Sequence, residues 1–83
     1  MVIWSDRFRR QHDRLPLSIQ IAVLKILRKL QTPGSCRIKA LSAYPGLYEI
    51  RVNSSVRLIL ERHTPRHWSV RSVGEHGPIL RRP

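Results

Sequence analysis

Apolar and polar residues alternate at period two along two neighbouring segments in the second half of the chain. The alternation covers Leu47–His63 and is interrupted only by the polar run Asn53-Ser54-Ser55. This pattern is typical of two half-buried strands joined by a tight turn, so it predicts a β-hairpin. The residues that share its apolar face are Tyr48, Ile50, Val52, Val56, Leu58 and Leu60.

The opposite face of this hairpin carries charge. Arg51, Arg57 and Glu61 point to it together, because successive side chains of a strand alternate between faces. A third strand is predicted over His67–Gly74, with one face made of Trp68, Val70 and Ser72 and the other of Ser69, Arg71 and Val73. We therefore expect Arg71 to lie on the same face as Arg51 and Arg57, and we take this charged face as the candidate functional surface.

The first half of the chain predicts a short strand at Met1–Trp4 and a basic helix at Asp6–Leu15. Ser5 or Asp6 is a suitable N-cap, and Pro16 ends the helix. The apolar face of this helix, at i, i+4 and i+7, consists of Phe8, His12 and Leu15.

A longer helix is predicted over Leu17–Gln31, ended by Thr32-Pro33-Gly34. Its first apolar stripe consists of Ile19, Val23, Ile26, Leu27 and Leu30, and its second of Leu17, Ile21 and Leu24. We expect both stripes to pack inside the protein, on the sheet and on the preceding helix. The alternative is that a partner protein covers the second stripe.

The predicted order β, α, α, β, β, β indicates the α+β class. We expect one domain over residues 1–83, with two N-terminal helices packed on one face of an antiparallel sheet of three to four strands. The segment Gly34–Gly46 is predicted to be a loop, and Glu75–Pro83 a short basic tail.

Composition adds a strong positive charge to this picture. Sixteen Lys and Arg, thirteen of them Arg, stand against five Asp and Glu, for a net charge of +11 in 83 residues. Such an excess favours polyanionic or acidic partners, and arginine favours bidentate contacts with phosphate or carboxylate. The single Cys36 and the lack of a long apolar run predict a cytoplasmic protein without a membrane segment.

The sequence contains no recognisable metal or cofactor motif, so we expect neither. His63 and His67 lack the carboxylate or cysteine spacing that would complete a metal site. The remaining candidate chemistry combines arginine with histidine. Cleavage of RNA without a metal needs cations on the scissile phosphate, a base and an acid, and His76, flanked by Gly74 and Gly77, has the right type and accessibility.

Three segments resemble the RelE/ParE superfamily of bacterial toxins. They are Tyr48-Glu49-Ile50-Arg51-Val52, Val56-Arg57-Leu58-Ile59-Leu60 and Val70-Arg71-Ser72-Val73-Gly74-Glu75-His76. Their order and spacing, together with the upstream strand and helices, extend the resemblance over most of the chain. It implies the toxin of a type II toxin–antitoxin pair, with a cognate antitoxin as partner. It also implies a metal-independent endoribonuclease that cuts mRNA on the ribosome.

The resemblance also implies roles for individual residues. Arg57 matches the phosphate-binding arginine of the family, and Arg51 matches a basic position on the preceding strand. His76 matches the late basic position that acts as an acid or stabilises charge. Arg82 lies near the C-terminal catalytic position. These four are the catalytic candidates, and the candidates for binding RNA phosphates are Arg71, Arg81, Lys39 and Arg37.

Two departures from the family pattern leave other functions open. Glu49 stands where RelE-type sites often have lysine, and no tyrosine or histidine follows His76. One alternative is a non-catalytic, ParE-like inhibitor of DNA gyrase. The other is a basic module that binds RNA without cleaving it.

Overall fold

The computed structural model describes residues 2–32, 34 and 36–83, so part of the predicted Thr32-Pro33-Gly34 helix stop and Met1 of the first predicted strand lie outside the described residues. Its elements in chain order are β1 (Val2–Trp4), α1 (Asp6–Asp13), α2 (Leu17–Lys29), β2 (Lys39–Ala40), β3 (Leu47–Arg51), β4 (Val56–Thr64), β5 (His67–Glu75) and α3 (His76–Arg81). None of the described helices has the length and apolar character needed to cross a membrane.

The strands form one five-stranded sheet in the order β1-β5-β4-β3-β2. All neighbours are antiparallel except β1, which runs parallel to β5 along one edge. The α+β class is confirmed, with five strands in place of three to four. The additional strand is β2, a two-residue strand inside the segment expected to be a loop, and it pairs with β3 through Lys39 and Ala40.

Helix α1 begins where the sequence predicts. Ser5 is the N-cap, and its hydroxyl accepts a hydrogen bond from the Phe8 amide at 3.1 Å. The helix ends at Asp13, two residues before the predicted end. Both N-terminal helices pack on the same face of the sheet, as predicted. The buried residues of this helix-side core are Phe8, Val23, Leu27, Ile50, Val56, Leu58, Leu60, Trp68, Val70 and Val73.

The expectation that both stripes of α2 would be buried is wrong. Val23 and Leu27 lie in the core, whereas Leu17, Ile21 and Leu24 are exposed. The reason is geometric: α1 packs on β5 at the side of the sheet, and none of the described elements buries these three residues of α2. This face of the helix is open to solvent.

The second face of the sheet is less open than its charge pattern suggests. Helix α3, where the sequence predicts only a tail, packs across it and buries a second, smaller apolar cluster of Leu47, Ile59 and Ile79. Leu58, Ile59 and Leu60 are therefore all fully buried, because β4 is covered on both faces.

A β-bulge in β5 corrects the predicted faces of that strand. Ile59 pairs with Ser72 but Leu60 pairs with Val70, which leaves Arg71 as the extra residue. The alternation of faces shifts by one after the bulge. Val73 consequently joins the helix-side core, and Ser72 lies on the opposite face, where its hydroxyl donates a hydrogen bond to the Pro83 carbonyl at 2.9 Å.

Candidate active site

The turn between β3 and β4 organises the candidate site. The Asn53 side-chain oxygen accepts hydrogen bonds from the amides of Ser55 and Val56, both at 2.8 Å. Asparagine favours such turns because its side chain replaces a backbone acceptor two residues ahead. The Val52 amide donates a hydrogen bond to the Val56 carbonyl at 2.9 Å, and this bond closes the hairpin. The Asn53–Ser55 turn is thus held in place by its own hydrogen bonds.

Two arginines converge on this turn. Arg51 and Arg57 are direct partners across β3 and β4. Arg51 Nε donates to the Asn53 carbonyl at 3.3 Å, and Arg57 Nη1 donates to the same oxygen at 2.8 Å. Like charges at opposite positions of two strands repel each other, so one shared carbonyl offsets only part of this repulsion. An anion between the two guanidinium groups would offset more of it.

His76 reaches the same turn from the end of β5, which lies beside the start of β4. Gly74 pairs with Arg57 at the end of β5, and α3 then begins at His76. The His76 amide donates to the Ser55 carbonyl at 2.7 Å, while the residue itself is exposed. Of the three other histidines, His12 is buried and His63 and His67 lie towards the far end of the hairpin. The structure therefore brings Arg51, Arg57 and His76 together.

Arg71 lies on the charged side of the sheet but away from this group. Its Nη1 forms a 2.9 Å ion pair with Glu61 Oε1. Glu61 is four residues from Arg57 along β4, a separation of roughly 13 Å at the rise of an extended strand. Arg71 is thus already paired with a carboxylate, whereas Arg51 and Arg57 form no ion pair among the residues that the structure describes.

The other predicted site residues are distributed around the molecule. Arg81 is exposed in the last turn of α3, and Arg82 is exposed while its carbonyl accepts a hydrogen bond from Arg7. Arg37 faces a cavity of about 330 Å³ between α2 and β3, which Arg51 also lines. Lys39 is exposed on β2, with its Nζ 4.0 Å from Glu49 Oε1.

Glu49 occupies the middle of the charged face and is only 8% exposed. One carboxylate oxygen, Oε2, is buried without a hydrogen-bond partner among the described residues. The cross-strand partner of Glu49 on β4 is the fully buried Ile59, and its partner on β2 is Lys39. Glu49 is therefore enclosed beside the site and is not displayed among the arginines.

Cys36 does not have the environment of a reactive thiol. Burial raises the pKa of the Cys36 thiol above its ordinary value, and the nearby Lys29 charge only partly opposes this. The structure describes no group of three or more His, Cys, Asp or Glu residues placed to hold a metal ion.

Sequence reasoning did not identify two contributors to the site. The Asn53 and Ser55 carbonyls tie the arginines and His76 to one turn, and Ile79 anchors α3 through its burial. The polar turn was visible in the sequence, but its use as a shared acceptor depends on the strand register. The Pro78-Ile79-Leu80 run was the signal for a docked helix.

Comparison with solved structures defines the fold. The intact toxin–antitoxin complex RelBE of E. coli matches with a TM-score of 0.70 and 24% identity, over 90% of this chain and 94% of that chain. The YoeB dimer of Staphylococcus aureus matches with a TM-score of 0.72 and 17% identity, over 90% of this chain and 94% of that chain. A YoeB/ParE toxin from Agrobacterium tumefaciens matches with a TM-score of 0.71 and 13% identity, over 90% of this chain and 96% of that chain.

No protein-family model matches the sequence, and no curated protein matches it significantly. The similarity to the solved toxins extends over nearly the whole chain at low sequence identity. The chain therefore has the RelE/YoeB toxin fold, which confirms the fold expected from the sequence resemblance.

Proposed function

We propose that this protein is the toxin of a type II toxin–antitoxin pair and acts as a metal-independent endoribonuclease on mRNA, with the ribosome as the place of cleavage. The observation that carries the proposal is the convergence of Arg51, Arg57 and His76 on the Asn53–Ser55 turn. The RelE/YoeB fold supports it, since these residues lie on the strands where the sequence resembles that superfamily.

In this mechanism the arginines bind the scissile phosphate. The 2′-hydroxyl loses its proton to water and attacks phosphorus, the bond to the 5′-oxygen breaks, and a 2′,3′-cyclic phosphate and a 5′-hydroxyl form. Arg51 and Arg57 stabilise the extra negative charge of the transition state. His76 donates a proton to the departing 5′-oxygen, since histidine is the side chain that most often serves as a general acid.

The remaining cations extend the surface that would hold RNA. Arg81 and Arg82 follow His76 on and after α3, and Arg37 lies with Arg51 at the edge of the sheet. We expect Arg71 and Lys39 to contribute at longer range, because each faces a carboxylate. A cognate antitoxin is the expected protein partner, as the E. coli match is itself a toxin–antitoxin complex.

Substitution of the converging residues tests the proposal. Arg57→Ala is expected to lower the cleavage rate by about 10²–10³-fold, in line with the loss of one transition-state donor. His76→Ala is expected to lower it by about 10²–10⁴-fold, the usual contribution of an acid or base. The measurements are primer-extension mapping of mRNA after induction, with and without translation, and growth of the induced cells.

Matched controls separate chemistry from folding. Arg10→Ala removes an exposed arginine from α1, and His67→Ala removes an exposed histidine from the start of β5. Both control variants should stay as toxic as the parent. Circular dichroism melting of Arg57→Ala is needed as well, because Arg57 also donates to the Asn53 and Val56 carbonyls. Full toxicity in both Arg57→Ala and His76→Ala would refute the assigned roles.

A gyrase inhibitor is the second candidate function. The enclosed, partly unpaired Glu49 carboxylate favours it, since it places negative charge beside the arginines instead of the lysine typical of RelE-type sites. Accumulation of gyrase–DNA cleavage complexes on induction, without mRNA cleavage, would select this function over the ribonuclease.

A further inference from the structure

A cavity of about 330 Å³ adjoins the candidate active site at the edge of β3. The residues that line it are Ile26, Lys29, Cys36, Arg37, Ile50 and Arg51. We call this feature the Arg37 cavity. Its volume lies at the lower end of the roughly 300–1,000 Å³ that is typical of pockets for small molecules. The cavity is therefore of a size to hold one unit of a larger ligand, such as a single nucleoside.

The strand pairing explains why this space exists. Strand β2 pairs with β3 through Lys39 and Ala40, so β2 covers the edge of β3 only as far as Glu49. Continuation of the same antiparallel register would place Arg37 opposite Arg51, but the chain lies outside the sheet at Arg37. The cavity fills this gap between β3, the segment before β2 and the C-terminal half of α2.

The cavity combines apolar surface with positive charge. Three of its lining residues are cations, Lys29, Arg37 and Arg51, and no acidic residue belongs to the described lining. None of these cations forms an ion pair among the residues that the structure describes. The buried Ile50, which is 4% exposed, provides part of the apolar surface. A ligand that joins an apolar, planar group to a negative charge would match both parts, and a nucleobase next to a phosphate is such a ligand.

Arg51 belongs to both the cavity and the candidate active site. It lines the cavity, and its Nε donates to the Asn53 carbonyl that also accepts from Arg57. Arg51 and Arg57 are direct partners on strands about 4.8 Å apart. A phosphate held between these two arginines would therefore lie beside the cavity, within reach of a nucleoside bound there.

The strand order indicates which nucleotide this would be. Strands β3, β4 and β5 are neighbours in the sheet, with Arg51 on β3, Arg57 on β4 and His76 directly after β5. The cavity and His76 thus lie on opposite sides of Arg57. In an in-line displacement, the attacking and leaving oxygens also lie on opposite sides of phosphorus. Because His76 would protonate the leaving 5′-oxygen of the downstream nucleotide, the cavity lies on the side of the upstream nucleotide, which carries the attacking 2′-hydroxyl.

We infer that the Arg37 cavity is the subsite for the base of the nucleotide immediately upstream of the scissile phosphate. The inference deepens the proposed function, and the assignment to the upstream nucleotide rests on it. Binding of a base in the cavity does not itself require cleavage, so the two proposals can be tested separately.

Dinucleoside monophosphates with a 2′-O-methyl group on the upstream sugar are the probes, because the blocked hydroxyl cannot attack. One probe carries both bases, a second lacks the upstream base, and a third lacks the downstream base. Their Kd values are measured by NMR titration of the full chain. Loss of the upstream base is expected to weaken binding at least about tenfold, and loss of the downstream base less than about threefold. The amides of Ile26, Cys36 and Ile50 should shift only with probes that carry the upstream base.

Ile26→Trp fills the cavity with a larger side chain. The variant is expected to bind the complete probe about tenfold more weakly, with an affinity close to that for the probe without the upstream base. The matched control is Ile19→Trp. Ile19 is another partly buried isoleucine of α2 that packs on the helix-side core, and it does not line the cavity. The control should bind the complete probe within about twofold of the parent.

Arg37→Ala provides a second test if Ile26→Trp does not fold. Arg37 is exposed before β2, so its removal leaves the core intact. The loss of a charged hydrogen-bond donor should weaken binding of the complete probe about tenfold. Arg28→Ala is the control, since Arg28 is an exposed arginine of α2 outside the cavity lining. This variant has the same net charge as Arg37→Ala and should bind within about twofold of the parent.

Three results would overturn the inference. The first is an equal loss of affinity on removal of either base, which would show that the protein does not distinguish the upstream side. The second is binding of inorganic phosphate as tight as that of the complete probe, which would reduce the site to an anion site at the arginines. The third is the absence of measurable binding of the complete probe to the parent chain.

Mapping of mRNA cleavage keeps this question apart from the proposed function. Weaker probe binding by Ile26→Trp, together with a changed preference for the base upstream of the cut, supports both proposals. A parent that prefers the upstream base but never cleaves mRNA would refute the ribonuclease alone. Cleavage that Arg57→Ala abolishes and Ile26→Trp leaves unchanged, without any preference among the probes, would refute the base subsite alone.

Discussion

At the scale of single residues, the helix-side core contains an imidazole that is only partly satisfied. His12 is 7% exposed and packs against the rings of Phe8 and Trp4, with centroid distances of 5.4 and 6.2 Å. Its Nε2 is buried without a hydrogen-bond partner among the described residues. An unpaired buried polar group costs about 1–3 kcal/mol, so His12→Phe is expected to stabilise the protein by about 1 kcal/mol. Urea unfolding measures the difference.

The control for this prediction is His67→Phe, at an exposed position. The control should change stability by less than about 0.5 kcal/mol, as surface substitutions usually do. Destabilisation by His12→Phe would indicate that the aromatic cluster has no room for the larger ring.

Individual residues differ in how well the sequence predicted them. The opposition of Arg51 and Arg57 follows from hairpin periodicity, and the contacts in the turn agree with it. The enclosure of Glu49 could not be predicted in the same way, because it depends on what packs over the second face of the sheet. Likewise, Arg71 points to the charged side as expected, but its pairing with Glu61 follows from the bulge.

At the scale of elements, α3 connects the second apolar cluster with the candidate active site. Ile79 is 4% exposed in the cluster with Leu47 and Ile59, and His76 begins the same helix. Ile79→Ala is expected to cost about 2–4 kcal/mol through reduced burial and a cavity. Because α3 sets the position of His76, mRNA cleavage should fall as well. Urea unfolding and cleavage assays measure the two effects.

A milder variant keeps this prediction testable if Ile79→Ala does not fold. Ile79→Val should cost about 0.5–1.5 kcal/mol and leave a folded protein with reduced cleavage. Leu24→Ala removes a similar side chain from an exposed position of α2 and should leave both stability and cleavage close to those of the parent. Unchanged cleavage in a destabilised Ile79→Val would show that α3 does not position His76.

Most of the elements that the sequence predicted have a clear period. The hairpin, both N-terminal helices and β5 follow from alternation or helical spacing, and their bounds agree within a few residues. Helix α3 was missed because six residues containing Gly77 and Pro78 provide too few turns for a helical pattern. Strand β2 was missed for the same reason, since two residues cannot show alternation.

At the scale of the whole molecule, the net charge of +11 is distributed over surfaces with different expected partners. The candidate active site at the Asn53–Ser55 turn combines Arg51 and Arg57 with His76, which suits a phosphate. Helix α2 exposes Leu17, Ile21 and Leu24, and its charged residues Lys25, Arg28 and Lys29 are all basic.

The salt dependence of RNA binding distinguishes the arginines that meet phosphate from those that are already paired. For a single strand, the slope of log Kobs against log salt falls by about 0.7 for each phosphate that the protein no longer neutralises. Arg57→Ala should reduce the slope by about this amount. Arg71→Ala should reduce it less, because Glu61 already neutralises Arg71 at 2.9 Å, and Arg10→Ala on α1 should leave it unchanged. Titrations of a labelled oligoribonucleotide at several salt concentrations provide the slopes. Equal reductions for Arg57→Ala and Arg71→Ala would show that RNA opens the Arg71–Glu61 pair, which would extend the phosphate-binding surface along the full length of β4.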